Sequence, residues 1–189
     1  MKKIVIFASG SGSNAENVIK YFVTRNTGIV VAVFTNNSNA MVIERAKKLE
    51  VPTIIFSKDD LNNGKVLQHV DSFQPDLIVL AGFLLKFPSE IIQEYPNKII
   101  NIHPALLPKY GGKGMYGMRI HNAVVENKEK ETGITIHFVN ENYDEGNIIF
   151  QKRVALSETD SSDDVAIKIH ALEQEHFPEE IEKLLLANL

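Results

Sequence analysis

In the stretch Asn101-Ile102-His103-Pro104, a carboxamide stands two residues ahead of an imidazole. It closes an apolar run, Ile99–Ile102, that predicts a strand, and in a strand residues i and i+2 share a face. Asn101 and His103 then project together, with Ile102 on the opposite side. Pro104 biases His103 towards extended geometry and keeps the pair aligned. An amide donor beside an imidazole can bind a developing oxyanion, and the imidazole can move a proton near neutral pH. The same residues also fit a hydrogen-bonded histidine in a turn, so the pair alone leaves two readings open.

A second candidate is Ser9-Gly10-Ser11-Gly12-Ser13-Asn14-Ala15, between the first apolar run and a helical pattern. A glycine-rich turn at a helix N-terminus offers unpaired N–H groups and a positive dipole end, which suit a phosphate. The pattern predicts Ser13 or Asn14 as the helix cap, with Glu16 closing a capping box on Ser13. A capped tight turn without a ligand is the plainer alternative. The spacing also fits the dinucleotide pattern G-x-G-x-x-A, which expects an acidic residue about 20 positions later to hold a ribose. The end of the second strand instead reads Phe34-Thr35-Asn36-Asn37. Without a carboxylate there, a monophosphate on a small substrate fits better than a dinucleotide.

A third candidate follows the alternating segment Gly133–Val139. Asp144 and Gly146 lie in the polar stretch 140–147, which reads first as an ordinary turn. A carboxylate there could also raise the pKa of His103 and hold its tautomer or a water. Thr135 and His137 share one face, and the sequence leaves open which face that is.

These residues need elements to position them. Continuous apolar runs at Ile4–Ala8, Ile29–Phe34, Leu77–Ala81 and Ile99–Ile102, with a short one at Thr53–Phe56, predict strands covered on both sides. Helical patterns alternate with them at Asn14–Thr24, Met41–Leu49, Leu61–Phe73 and Pro88–Tyr95. The expectation is an α/β fold with a doubly wound, mostly parallel sheet. A loop over 103–114 opens a helix at Met115–Asn127. Strands Gly133–Val139 and Ile148–Leu156 then make an antiparallel or mixed C-terminal addition, and a last helix, Asp163–Leu186, is interrupted near Pro178. The glycines of 109–120 suggest a loop that can move.

The chain has 189 residues, 20 Lys and Arg against 24 Asp and Glu, a formal charge of −4 and no cysteine. The length predicts one domain over 1–189, and the acidic balance argues against a general nucleic-acid surface. Disulfides, thiolate metal sites and cysteine nucleophiles are excluded. No apolar run approaches the roughly 20 residues of a membrane helix, and the start MKKIVIFASG reads as a first strand rather than a signal peptide, so the expected compartment is the cytoplasm. His69, His121, His170 and His176 fall on helical patterns or their ends and are expected at the surface or in packing. No His and carboxylate set has metal-ligand spacing, so no metal is expected.

Taken together, ASGSGSN near the start, LAGF at 80–83, NIHPALLPKYGG at 101–112 and GITIHFVNENYDEGNIIFQ at 133–151 resemble the phosphoribosylglycinamide formyltransferase family over nearly the whole chain. The resemblance implies a Rossmann-like formyltransferase fold, with a phosphate-binding half over 1–100 and a catalytic and folate-binding half over 101–189. It implies a cytoplasmic enzyme of purine biosynthesis. The donor would be 10-formyltetrahydrofolate and the acceptor glycinamide ribonucleotide, with no metal, nucleic acid or membrane, and with a monomer or weak homodimer as the working form. By residue, it implies Asn101, His103 and Asp144 as the catalytic group and Gly12, Ser13, Asn14 and Glu175 as acceptor contacts. It assigns Leu84, Leu85, Lys86, Phe87, Asn101, Glu141 and Tyr143 to the folate side. The expected chemistry has protonated His103, kept charged by Asp144, donating with Asn101 to the oxyanion. Ala105, where the family often has serine, Leu84-Leu85-Lys86-Phe87 without the common arginine, and the 111–117 loop depart from the usual pattern. That loop resembles a version found in sugar formyltransferases. A phosphate-binding module without chemistry explains the glycine loop but not Asn-x-His and the Asp turn together. Methionyl-tRNA formyltransferase and formyltetrahydrofolate deformylase are expected to carry further domains, whereas this chain runs from a first strand at residue 2 to Leu189.

Overall fold

A computed structural model of the chain describes residues 1–187. Five strands, β1 (Lys2–Phe7), β2 (Gly28–Thr35), β3 (Thr53–Ile55), β4 (Leu77–Leu80) and β5 (Ile99–His103), lie parallel in the order β3-β2-β1-β4-β5. Two more, β6 (Glu131–Phe138) and β7 (Ile148–Ala155), extend that edge in antiparallel fashion. The expected doubly wound sheet with an antiparallel C-terminal addition is therefore what the chain forms.

The unbroken apolar strands serve both faces. On β1, Ile4 and Ile6 pack with α1 (Ser13–Val23), α2 (Met41–Lys48), α6 (Met118–Glu126) and α7 (Ser162–Leu186). Val5 and Phe7 face the other way, against α3 (Lys58–Asn62), α4 (Lys65–Phe73) and α5 (Ser89–Glu94). The period of two divides one apolar run between two cores. Strand order reverses between β1 and β4, and open α/β sheets bind ligands at the carboxyl ends of strands flanking such a switch point.

Four local expectations change. The helix expected over Leu61–Phe73 is two, because Gly64 takes φ 84° and breaks the ladder. α6 starts at Met118, not Met115, after Gly117 at φ 52°. α1 has no side-chain cap: its N-cap is Gly12 at φ 74°, and Glu16 pairs with Lys20 and Arg45 rather than closing a box on Ser13. Finally, α7 runs unbroken through Pro178. A helical proline strands the carbonyl four residues back; here that carbonyl, on Gln174, accepts from Asn17 Nδ2 at 2.8 Å, so α1 supplies the missing donor. Among the described residues, no helix is long and apolar enough to cross a membrane.

Candidate active site

The carboxyl ends of β1, β4 and β5 open into one cavity of about 940 Å³. Gly12, Ser13 and Asn14 line one end, and Asn101, His103, Tyr143 and Asp144 line another part of it. The glycine loop is shaped by what it packs on. A Cβ on Gly12 would lie 2.4 Å from Val42 Cγ2, so only glycine fits both that contact and the left-handed φ. Gly10 O accepts from Val42 N–H at 3.2 Å, and Ser11 O accepts from Arg45 Nε at 2.9 Å. α2 thereby braces the loop and leaves the first N–H groups of α1 without intrahelical partners. The Asn14 side chain is committed elsewhere: it donates to Glu173 at 3.0 Å and accepts from Gln174 at 2.9 Å. At this loop Asn14 can therefore offer its backbone amide.

Asn101 and His103 share a face, as the i, i+2 spacing predicts. The antiparallel register sets His137 opposite Asn101 and Thr135 opposite His103, which decides the face left open by the sequence. Thr135 is a brace: its hydroxyl donates to Ala105 O at 2.7 Å and accepts from Leu107 N–H at 3.0 Å, pinning the loop after His103. His137 joins the site. Its Nδ1 lies 2.8 Å from Phe138 O and its Nε2 lies 3.1 Å from Asn101 Nδ2. A carbonyl can only accept, so Nδ1 carries the proton and Nε2 accepts from the Asn101 amide. His137 thus orients the carboxamide.

His103 is 4% exposed, and its Nε2 lies 2.8 Å from the Tyr110 carbonyl. That bond fixes the Nε2–H tautomer and turns Nδ1 towards Asp144, whose Oδ1 is 3.6 Å away. Burial pulls the His103 pKa below its ordinary 6.5, and the opposing Asp144 charge and Tyr110 carbonyl do not restore it. Desolvation thus outweighs the nearby carboxylate, which weighs against the protonated His103 expected from the sequence. Burial alone would push the Asp144 carboxyl up, but the carboxyl is held below its ordinary 3.8, and the Gly112 N–H, which donates to Oδ2 at 2.9 Å, acts in that direction. Both shifts favour an uncharged imidazole beside an ionised carboxylate.

Other expected contacts divide. Leu84 lines the main cavity, while Leu85, Lys86, Phe87, Glu141 and Tyr143 line an adjoining recess of about 60 Å³ that also reaches Asn101 and Asp144. Phe87 forms its floor, edge-on to Phe7 at 5.0 Å. Glu175 lies on the outer side of α7: its side chain is 68% exposed, whereas that of Glu173 is 14% exposed and lines the cavity. Two residues turn a helix by about 200°, so both cannot face one cavity. Ala166, Ile169, His170 and Glu173 make the cavity-facing stripe. His121 and His170 also line the cavity, and His121 is 6% exposed with a buried Nδ1 that has no partner among the described residues. Their helical patterns alone point to surface or packing. The i, i+3, i+4, i+7 spacing of the α7 stripe could have found His170 and Glu173; nothing local marks His121.

The model of the formyl transferase family matches residues 2–181. The chain belongs to the formyl transferase family. It is 37% identical over 182 residues to the chloroplastic phosphoribosylglycinamide formyltransferase of Arabidopsis thaliana, covering 93% of this chain but 62% of that protein. It is 34% identical to the phosphoribosylglycinamide formyltransferase of Bacillus subtilis, covering 100% of this chain and 97% of that one. The crystal structure of glycinamide ribonucleotide transformylase 1 from Symbiobacterium toebii superposes with a TM-score of 0.90 at 28% identity, covering 99% of this chain and 89% of that one. The family resemblance seen in the sequence motifs is thus met by whole-chain similarity, and the formyl transferase fold accounts for the sheet and its switch point.

Proposed function

We propose that this formyl transferase moves the formyl group of 10-formyltetrahydrofolate to the primary amine of glycinamide ribonucleotide. One observation carries the reading: a carboxamide, an imidazole and a carboxylate line one cavity, with His103 Nδ1 3.6 Å from Asp144 Oδ1, and the same cavity holds the Gly12–Asn14 loop. The names of the relatives support the same acceptor and the same transferred group.

In this reading the substrate phosphate sits on the open N–H groups of α1, and the tethered amine reaches the catalytic group. Holding both reactants can be worth about 7–11 kcal/mol in favourable cases. The pterin of the donor lies where the main cavity adjoins the recess beside Phe87 and Tyr143. The neutral amine attacks the formyl carbon, forming a C–N bond, and the Asn101 amide donates to the oxyanion that develops. Such a donor contributes about 3–4 kcal/mol. The Nδ1 lone pair of His103 takes the amine proton, directly or through one water, and the resulting imidazolium is paired with Asp144. It returns that proton to the folate nitrogen as the old C–N bond breaks, so charge and atoms balance without a covalent enzyme species. A neutral resting His103 fits this role better than a charged one, because only the neutral ring can accept.

Purified chain, 10-formyltetrahydrofolate and glycinamide ribonucleotide should give formylated product at a rate that His103→Ala abolishes. Absence of product with the wild-type chain, or full turnover with the variant, would overturn the reading.

A further inference from the structure

The tautomer of His103 depends on a turn that the catalytic group does not include. Tyr110 adopts φ 58°, and Gly112 follows at φ 96°. Between them, a Cβ on Gly111 would lie 2.6 Å from Leu107 Cδ2 and 3.3 Å from Asp144 Cβ, so the turn is seated directly on the catalytic carboxylate. The same turn grips both partners: the Tyr110 carbonyl accepts from His103 Nε2 at 2.8 Å, and the Gly112 amide donates to Asp144 Oδ2 at 2.9 Å. A tyrosine in left-handed backbone geometry is unfavourable and persists only where its surroundings hold it. What holds it comes from the far side of the loop. The Tyr110 hydroxyl donates to Glu129 Oε1 at 2.9 Å, from the connection between α6 and β6. Lys109 Nζ reaches the same carboxylate at 3.1 Å, but it is an exposed pair at the surface.

We propose that Glu129 is a positioning residue for His103. By anchoring the Tyr110 hydroxyl it holds the 110–112 turn so that the Tyr110 carbonyl keeps the imidazole in its Nε2–H form, with the Nδ1 lone pair facing Asp144. The inference rests on the formyl-transfer reading for its catalytic consequence, but not for its structural one. An imidazole in the wrong tautomer offers N–H where a lone pair is needed, which disables a base even when its position is unchanged. Glu129 lines neither the main cavity nor the donor recess, so its effect passes through what it holds, Tyr110 and the exposed Lys109, and of these Tyr110 bonds His103.

Ring-nitrogen NMR of ¹⁵N-histidine-labelled protein near pH 8, assigned with a His103→Gln variant, reads the tautomer without substrate. Wild type should show His103 with Nε2 protonated and Nδ1 bare. Glu129→Ala and Tyr110→Phe should each convert that signal to a tautomer mixture and lower kcat about tenfold, with KM for the acceptor changed less than about twofold. Glu129→Gln, which keeps an accepting oxygen, should restore both signals, and Lys109→Ala should leave both alone. A His103 that stays wholly Nε2–H in Glu129→Ala and Tyr110→Phe overturns the proposal, as does a Glu129→Gln variant as impaired as Glu129→Ala. Because the tautomer is read without substrate, that failure is separate from a wild-type chain that forms no formylated product, which would strike the functional reading.

Discussion

The glycine loop and the Asp144 turn bracket the same cavity but are held in opposite ways. The loop grows from a central parallel strand and is tied to neighbours on several sides. Ala8 N–H donates to Phe34 O, Ser9 Oγ donates to Asn36 and accepts from Leu84 N–H, and α2 contributes the Val42 and Arg45 bonds. The Asp144 turn joins two antiparallel strands and is tied mostly to itself, through Asn142 to Asn140 and Glu145. It meets the rest of the site through the Gly112 amide, given by another loop, and through Asp144 facing His103 and His137 at 3.6 and 3.7 Å. One end of the cavity is therefore built into the sheet, where backbone amides need little further organisation. The other end is assembled from two loops, where side-chain geometry must be imposed from outside. Binding a phosphate needs only fixed N–H groups, whereas moving a proton needs a carboxylate and an imidazole in register, so the proposed function would put each task at the end suited to it.

The largest expected effect falls on the assembled end. Asp144→Asn should lower kcat by about 10³-fold while the acceptor's Kd stays within about threefold, because general acid–base partners act in the transition state. Single-turnover rates beside calorimetric binding would check this. Loss of binding together with turnover would erase the distinction between the ends.

Gly12→Ala should do the reverse at the built-in end. The added Cβ meets Val42 at 2.4 Å on a left-handed backbone, so a stability loss of about 1–3 kcal/mol is expected. Acceptor affinity should fall with it, measured by denaturant unfolding and by titration. Unchanged affinity would mean the loop is not the phosphate site.

A subtler comparison lies along α7. Glu173→Ala should raise the acceptor KM about tenfold, whereas Glu175→Ala should stay within about twofold, since only Glu173 faces the cavity and meets Asn14. Equal effects would mean that the helix is turned differently.

The smallest effect is in stability against pH. The folded His103 pKa is below its ordinary 6.5, so at mildly acid pH the unfolded chain binds more protons than the folded one. Stability from this group is fully present above about pH 6.5 and is lost as pH falls through the lower folded value. Asp144 acts in the same direction at lower pH, because its folded value is also depressed. The melting temperature should therefore fall from pH 7 to pH 5, with a shallower slope in His103→Gln. Equal slopes would take His103 out of the explanation.

Much of this was legible in the chain itself. Alternation of apolar strands with helical patterns specified the parallel sheet, because burial on both faces leaves no polar period. The Asn-x-His-Pro spacing put two side chains on one face, because strand geometry is local. The glycine loop followed from φ freedom and helix-end chemistry, again local. Its cap did not, because Glu16 found Arg45 and Lys20 while Gly12 took the N-cap position. Nor did the break near Pro178, because the donor that rescues Gln174 O lies on Asn17, distant in sequence.

What tertiary structure alone decided were the partners across space. His137 entered the site through the β5–β6 register, Glu173 through the rotation of α7, and the protonation of His103 through its burial against the pull of Asp144. Spacing along a chain encodes which side chains leave the backbone together. It carries no information on which distant group they meet, nor on how much water remains when they do, and those two quantities set both the tautomer and the charge of a catalytic imidazole.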